Sequence, residues 1–146
     1  MIPGFKRGRW RERGHAVIEI SLMAPWIFFL FMGTLDFGFY AYAIIAAQSA
    51  ARVAVMQTSQ NSTTAANSTL ACQYALTELN RMPNTSTLSS CAALPVIVNA
   101  TSVVDADGAN SSRVAVTYQS INMIPIPGLM GRLTLTRTAQ MRLKGP

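Results

Sequence analysis

Residues 20–47 read ISLMAPWIFFLFMGTLDFGFYAYAIIAA and carry a single charge, Asp36. A helix of about 20 apolar residues crosses a hydrocarbon core about 30 Å thick. These 28 residues therefore predict a membrane-spanning helix with residues to spare. The alternative is the core helix of a soluble domain, but helices of that kind rarely exceed about 14 wholly apolar residues.

The charges around this apolar stretch predict its orientation. The 146-residue chain has 12 Lys and Arg against 6 Asp and Glu, a net charge of +6, yet only 12% of its residues are charged. Residues 1–13 hold five of the basic side chains and one acid, Glu12. Because short basic segments stay on the cytoplasmic side, we expect residues 1–13 in the cytoplasm and those after about 50 on the other side. This low fraction of charged residues argues against a nucleic-acid-binding protein.

The helix is expected to continue beyond the span, because residues 41–54 contain seven alanines and neither Gly nor Pro. Four of these alanines recur at spacings of four, three and four and so line one face: Ala43, Ala47, Ala50 and Ala54. Small side chains on one face allow helices to approach closely in lipid. The face is therefore explained either by packing between subunits or by helix propensity alone.

The rest of the chain predicts a small domain of mixed structure. Residues 57–69 form a polar linker, and residues 69–81 form a short amphipathic helix ended by Pro83. Runs rich in β-branched or alternating apolar residues predict three strands, at residues 96–104, 113–118 and 133–143. Turns or loops are predicted at Asp107-Gly108 and at residues 125–131. The fold class is α+β, with a long N-terminal transmembrane helix followed by a short helix and antiparallel strands.

The two cysteines, Cys72 and Cys91, both follow the span. Their spacing of 19 fits no zinc site, because a lone pair lacks the other ligands. In an oxidising compartment the pair predicts a disulfide that closes a loop of about 20 residues. The alternative is two buried free thiols.

Glu19 opens the apolar helix and should lie at or within the membrane boundary, where an ionised side chain is costly without a partner. No basic residue follows it before Arg52, about 50 Å further along a helix that rises 1.5 Å per residue. A partner further along the same helix is therefore excluded, and a partner from another chain is the natural alternative.

Residues 11–20, RERGHAVIEI, combine basic residues, Gly14 and a glutamate five positions later with the start of an apolar helix. This arrangement resembles the class III signal sequence of type IV pilins. Three further segments resemble TadE-like proteins, the pseudopilins of tight-adherence (Tad) pili: RGHAVIEISLMAP at 13–25, GTLDFG at 33–38 and QSAARVA at 48–54. The end of the chain, LTLTRTAQMR at 133–142, is similar to the closing strand of that family.

The resemblance implies that a prepilin peptidase cuts after Gly14, which makes His15 the first mature residue. It also implies that Glu19 pairs with the N-terminal amine of a neighbouring subunit. The chain would then comprise a basic cytoplasmic leader (1–14), a transmembrane and assembly helix (15–56) and a small periplasmic, pilin-like α+β domain (57–146). Ile20 stands where major Flp-type pilins have Tyr, and the chain is longer than they are, so a minor or accessory subunit is favoured.

The implied partners are inner-membrane lipid, the prepilin peptidase, other pilins or pseudopilins and the Tad assembly machinery. The implied location is the bacterial inner membrane as a single-pass protein, with or without incorporation into a surface pilus. Asp36 is either a contact to another subunit within the membrane or an acid at the membrane interface.

The residues alone leave two other functions as alternatives. One is an unprocessed bitopic protein with a periplasmic binding domain. The other is a secreted protein cut after Ala43, although the preceding apolar region is too long for an ordinary signal peptide. With one histidine, two cysteines and no clustered carboxylates, we expect no catalytic residue, metal or cofactor and therefore no enzyme.

Overall fold

The computed structural model describes residues 9–121 and 132–144, with side chains from Ala16 onward. By their contacts the residues divide into two units, of which one ends at Gly38 and the other begins at Phe39. This division falls inside the first helix, α1 (Arg9–Thr58), which contributes to both units. The domain boundaries expected at residues 14 and 56 stay predictions, and the loop expected at residues 125–131 lies outside the described residues.

Within the first unit, α1 is an apolar helix whose polar side chains bond to their own backbone. The hydroxyl of Ser21 donates to the Val17 carbonyl at 2.7 Å, and that of Thr34 donates to the Leu30 carbonyl at 2.8 Å. The helix continues through Pro25. Residues Ala16–Thr58 are long and apolar enough, by length and composition, to cross a membrane. Hydroxyls bonded within the helix suit such a helix, because hydrocarbon offers them no partner.

The second unit adds a short helix, α2 (Ser68–Leu79), and four strands to the end of α1. The strands are β1 (Ala92–Ala93), β2 (Val96–Val104), β3 (Asn110–Gln119) and β4 (Thr134–Arg142). They form one antiparallel sheet in the order β1-β2-β3-β4. The predicted fold class is confirmed: a long apolar N-terminal helix, a short second helix and a four-stranded antiparallel sheet packed against it make an α+β, pilin-like fold.

Element ends differ from the sequence predictions where side chains bond to the backbone. The amide oxygen of Asn67 accepts from the Leu70 N–H at 3.0 Å and so begins α2 at Ser68. The helix ends at Leu79 rather than at the predicted Arg81, because the Leu79 carbonyl accepts from the Met82 N–H and from the Thr85 hydroxyl. Strand β1, which was not predicted, is too short to show a sequence period.

Strands β2 and β3 form a hairpin around the turn predicted at Asp107-Gly108. The Asp105 N–H donates to the Ala109 carbonyl at 2.8 Å, and Gly108 has a φ of 80°. Pairing continues to Val104 and Asn110, so β3 begins three residues earlier than its apolar alternation predicted. Positive φ is favourable for glycine, which has no Cβ to clash.

The alanine face of α1 forms part of the domain core. Four alanines of this face, Ala43, Ala47, Ala50 and Ala54, are 0% exposed and belong to one hydrophobic cluster with residues of α2 and the sheet. Their interpretation as a surface for packing between subunits is therefore wrong. Small side chains instead let α1 lie close to its own domain, where large ones would hold it away.

Hydrogen bonds fix the last turn of α1 to the rest of the domain. The buried hydroxyls of Thr58 and Ser112 lie 2.7 Å apart, and Ser112 donates to the Ala65 carbonyl at 2.8 Å. The Lys144 N–H donates to the Ser59 carbonyl at 3.0 Å, so the chain beyond β4 returns to the end of α1.

Tyr118 connects β3 to the segment after α2. Its side chain is fully buried, and its hydroxyl lies 3.2 Å from both the Pro83 carbonyl and the Asn84 side-chain oxygen. Burial raises the pKa of this hydroxyl above its usual value. Tyr118 therefore acts as a neutral hydrogen-bond donor inside the core.

Candidate functional site

The predicted processing and pairing residues lie near the start of α1. Gly14 and His15 belong to the helix, but their surroundings lie outside the described side chains. Glu19 is exposed on the helix. Among the described side chains, those of residues 16–121 and 132–144, it has no ion-pair partner. Its carboxylate is therefore accessible to a group from another molecule.

The helix around and beyond Glu19 presents an unusually apolar surface. Thirteen large hydrophobic side chains between residues 17 and 37 are half exposed or more: Val17, Ile18, Ile20, Leu22, Met23, Trp26, Ile27, Phe28, Phe29, Leu30, Phe31, Leu35 and Phe37. Burying one such side chain contributes about 1.5–3 kcal/mol. A contiguous surface of this kind marks a membrane or protein contact.

One side of this helix is a shallow apolar groove of about 500 Å³. Its lining residues follow the spacing of a helix face: Ile20, Met23, Ala24, Ile27, Phe28 and Phe31. Ala24 is the smallest of them, so it leaves room between larger neighbours. Glu19 lies one turn before Met23 and so on the same side of α1 as this groove. The groove can accept a side chain of an adjacent helix beside the charged group.

Asp36, the second acid of the apolar stretch, is half-buried and has no ion-pair partner among the described side chains. It follows Glu19 by 17 residues, a rotation of about 260° at 3.6 residues per turn. The two carboxylates therefore lie on different faces of α1 and do not form one acidic site.

Cys72 and Cys91 are joined in a disulfide, with their sulfur atoms 2.04 Å and their Cα atoms 5.7 Å apart. Cys72 lies in α2, and Cys91 directly precedes β1. Both are buried. The bridge attaches α2 to the β1 edge of the sheet.

The described residues offer no cluster for metal or acid–base chemistry. No group of three or more His, Cys, Asp or Glu side chains comes together in this part of the chain. Asp105 accepts hydrogen bonds from Ser111 and Gln140, and Asp107 pairs with Arg142. Both acids therefore stabilise the β2–β3 turn against β4.

Two arginines lie at one cleft that the sequence did not predict. Arg52 of α1 and Arg137 of β4 are 85 positions apart in the chain and line the same cleft. The available signal was Arg137 itself, which interrupts the apolar face of its strand. Nothing in the sequence shows that this face meets the side of α1 that carries Arg52.

Comparison with known proteins supports the family resemblance predicted for the N-terminal segment. Residues 14–56 match the family model described as TadE-like protein. The match begins at Gly14 and contains Glu19 and the alanine face. No curated protein and no solved structure matches the chain. The predicted resemblance to TadE-like proteins is therefore confirmed for this segment.

The disulfide should contribute to the stability of the domain. A loop of about 20 residues predicts a loss on the order of 3 kcal/mol in the free energy of unfolding when Cys72 and Cys91 are both replaced by Ala. Urea unfolding of the full chain in detergent measures this loss. Reduction of the wild type should reproduce the variant's midpoint and leave the variant unchanged. Recovery of both cysteines as free thiols from native, unreduced protein would contradict the bridge.

Proposed function

Because residues 14–56 match the family model of TadE-like proteins, we propose that this protein is a membrane-anchored pseudopilin that serves in the assembly of a Tad-type pilus. TadE-like pilins are generally non-enzymatic structural proteins. The observation that supports the proposal most strongly is the position of the family match. It coincides with the helix whose large apolar side chains are exposed and require lipid or other helices around them.

The proposed topology is a single pass through the bacterial inner membrane. The basic residues 1–13 stay in the cytoplasm, and the sheet domain lies in the periplasm, where its disulfide is stable. Inner-membrane lipid surrounds the apolar part of α1. The alternative is an unprocessed bitopic protein with a periplasmic binding domain, which shares this topology and differs in keeping its leader.

Processing by a prepilin peptidase after Gly14 would change the charge of the chain. The leader contains five Lys or Arg and one Glu, so the mature protein of 132 residues keeps seven basic and five acidic side chains. Its net charge falls from +6 to +2. Most of the basic character of the chain is then an orientation signal that is discarded.

Cleavage would also create the charge partner that Glu19 lacks. The new amine of His15 on one subunit pairs with the exposed Glu19 carboxylate of a neighbour, while the groove beginning at Ile20 receives the neighbour's apolar side chains. The neighbours are other pilins or pseudopilins, brought together by the Tad assembly machinery. An ion pair near the membrane boundary is favoured because either charge alone is costly there.

N-terminal sequencing of the membrane-bound protein tests the processing step. In cells with prepilin peptidase the sequence should start at His15, and in cells without it at Met1. A start at Met1 in both would support the unprocessed alternative. A start at Ile44 would show an ordinary signal peptide instead.

The replacement Glu19→Ala tests the pairing step. The variant should insert in the membrane as the wild type does, because the change makes the helix more apolar, but piliation should fall strongly. Glu78→Ala, which removes an exposed acid of α2, is the matched control and should leave piliation unchanged. Normal piliation of the Glu19→Ala variant would refute the pairing.

A further inference from the structure

The sheet domain contains a basic cleft beside α1. The cleft holds about 310 Å³ and is lined by five residues of α1 and one of β4: Ile44, Ile45, Gln48, Ser49, Arg52 and Arg137. Its polar groups are two guanidiniums, an amide and a hydroxyl. All four side chains can donate hydrogen bonds, and none is a carboxylate.

Arg137 occupies an unfavourable position for a charge. It lies opposite Val116 on the face of β4 that also carries Leu135 and Ala139, and it is half-buried. Val116 and Leu135 belong to the hydrophobic core. A charge next to apolar residues is costly without a counter-charge. Among the described residues Arg137 has neither an ion pair nor a side-chain hydrogen bond, so an anion from outside the domain would stabilise it.

Arg52 brings a second guanidinium to the cleft. It follows Gln48 by four residues and Ser49 by three, so the three side chains share one side of α1. Arg52 also lacks an ion pair among the described residues. A phosphate group accepts several hydrogen bonds at once, and guanidinium is the side chain best suited to bind it. The cleft therefore has the donor set of a phosphate site.

The cleft is open to the surroundings on its apolar side. Ile45, which lines it, is 67% exposed. Arg52 follows Phe37, where the exposed apolar surface of α1 ends, by 15 residues, or about 22 Å along the helix. A lipid phosphate therefore reaches Arg52 when this side of the domain lies against the bilayer surface.

We propose that the cleft between α1 and β4, with Arg52 and Arg137 as its ligands, binds a phosphate group. The source is either the headgroup of an anionic phospholipid on the periplasmic side or free phosphate. The lipid source rests on the proposed membrane anchoring, whereas the site itself does not depend on cleavage after Gly14. A bound headgroup would hold the β4 side of the domain at the membrane surface.

The test measures binding by the full chain in detergent solution. Phosphatidylglycerol, phosphatidylcholine and inorganic phosphate are titrated separately, and bound ligand is counted by native mass spectrometry. The wild type should retain phosphatidylglycerol in preference to phosphatidylcholine. Arg52→Gln and Arg137→Gln should each weaken retention about tenfold, because each removes a charge-assisted hydrogen bond. Arg113→Gln, an exposed arginine on the opposite face of the sheet, is the matched control and should bind as the wild type does.

The outcomes distinguish a lipid headgroup from free phosphate as the ligand. They also distinguish failure of the phosphate site from failure of the pseudopilin proposal. Arginine-dependent binding of inorganic phosphate without lipid preference assigns the cleft to free phosphate. Binding of neither ligand, or binding that Arg113→Gln weakens as much as Arg137→Gln, overturns the site. Resistance of the same protein to alkaline extraction from membranes is measured in parallel. An inserted protein without arginine-dependent binding refutes the phosphate site and leaves the pseudopilin proposal intact.

Discussion

The structure depends on one helix that meets two different environments. Up to Phe37, α1 exposes large apolar and aromatic side chains, which only lipid or other helices can cover favourably. From Ala43 to Ala54, one face of the same helix consists of alanines that are fully buried in the domain core. Lipid would accommodate the bulky side chains of the first segment, whereas the closely packed core requires the small side chains of the second.

The domain fixed to α1 is small, and bonds between distant segments compensate for its limited core. Chains of this size bury a smaller share of their surface than larger domains do. The disulfide attaches α2 to the sheet edge, and the Thr58–Ser112 pair attaches α1 to β3. Lys144 bonds to Ser59 beyond the last strand. Removing the part of α1 from Phe39 onward would thus take away both core residues and these attachments.

Features that repeat along the chain could be predicted from the sequence, and features set by tertiary contacts could not. The apolar run predicted α1, β-branched residues predicted β2, and alternation predicted β3 and the inner face of β4. The alanine face was ambiguous, because small residues serve a membrane contact and a sheet contact equally well. The end of α2 depends on the Thr85 hydroxyl, which bonds back across six residues. The sequence shows that Arg137 interrupts the apolar face of β4. The cleft that Arg137 lines forms only when β4 packs beside α1.

The motif at Gly14 and Glu19 predicts a processing and pairing site, and the family match covers the same segment. Its function depends on a partner, so the chain alone shows only the exposed carboxylate and the apolar groove beside it. The central claim is that α1 crosses the membrane with its leader in the cytoplasm. Labelling with a membrane-impermeant thiol reagent, in spheroplasts of a host without prepilin peptidase, tests it directly. Gln60→Cys should be labelled in intact spheroplasts and Lys6→Cys only after lysis. Labelling of Lys6→Cys in intact spheroplasts would contradict this topology.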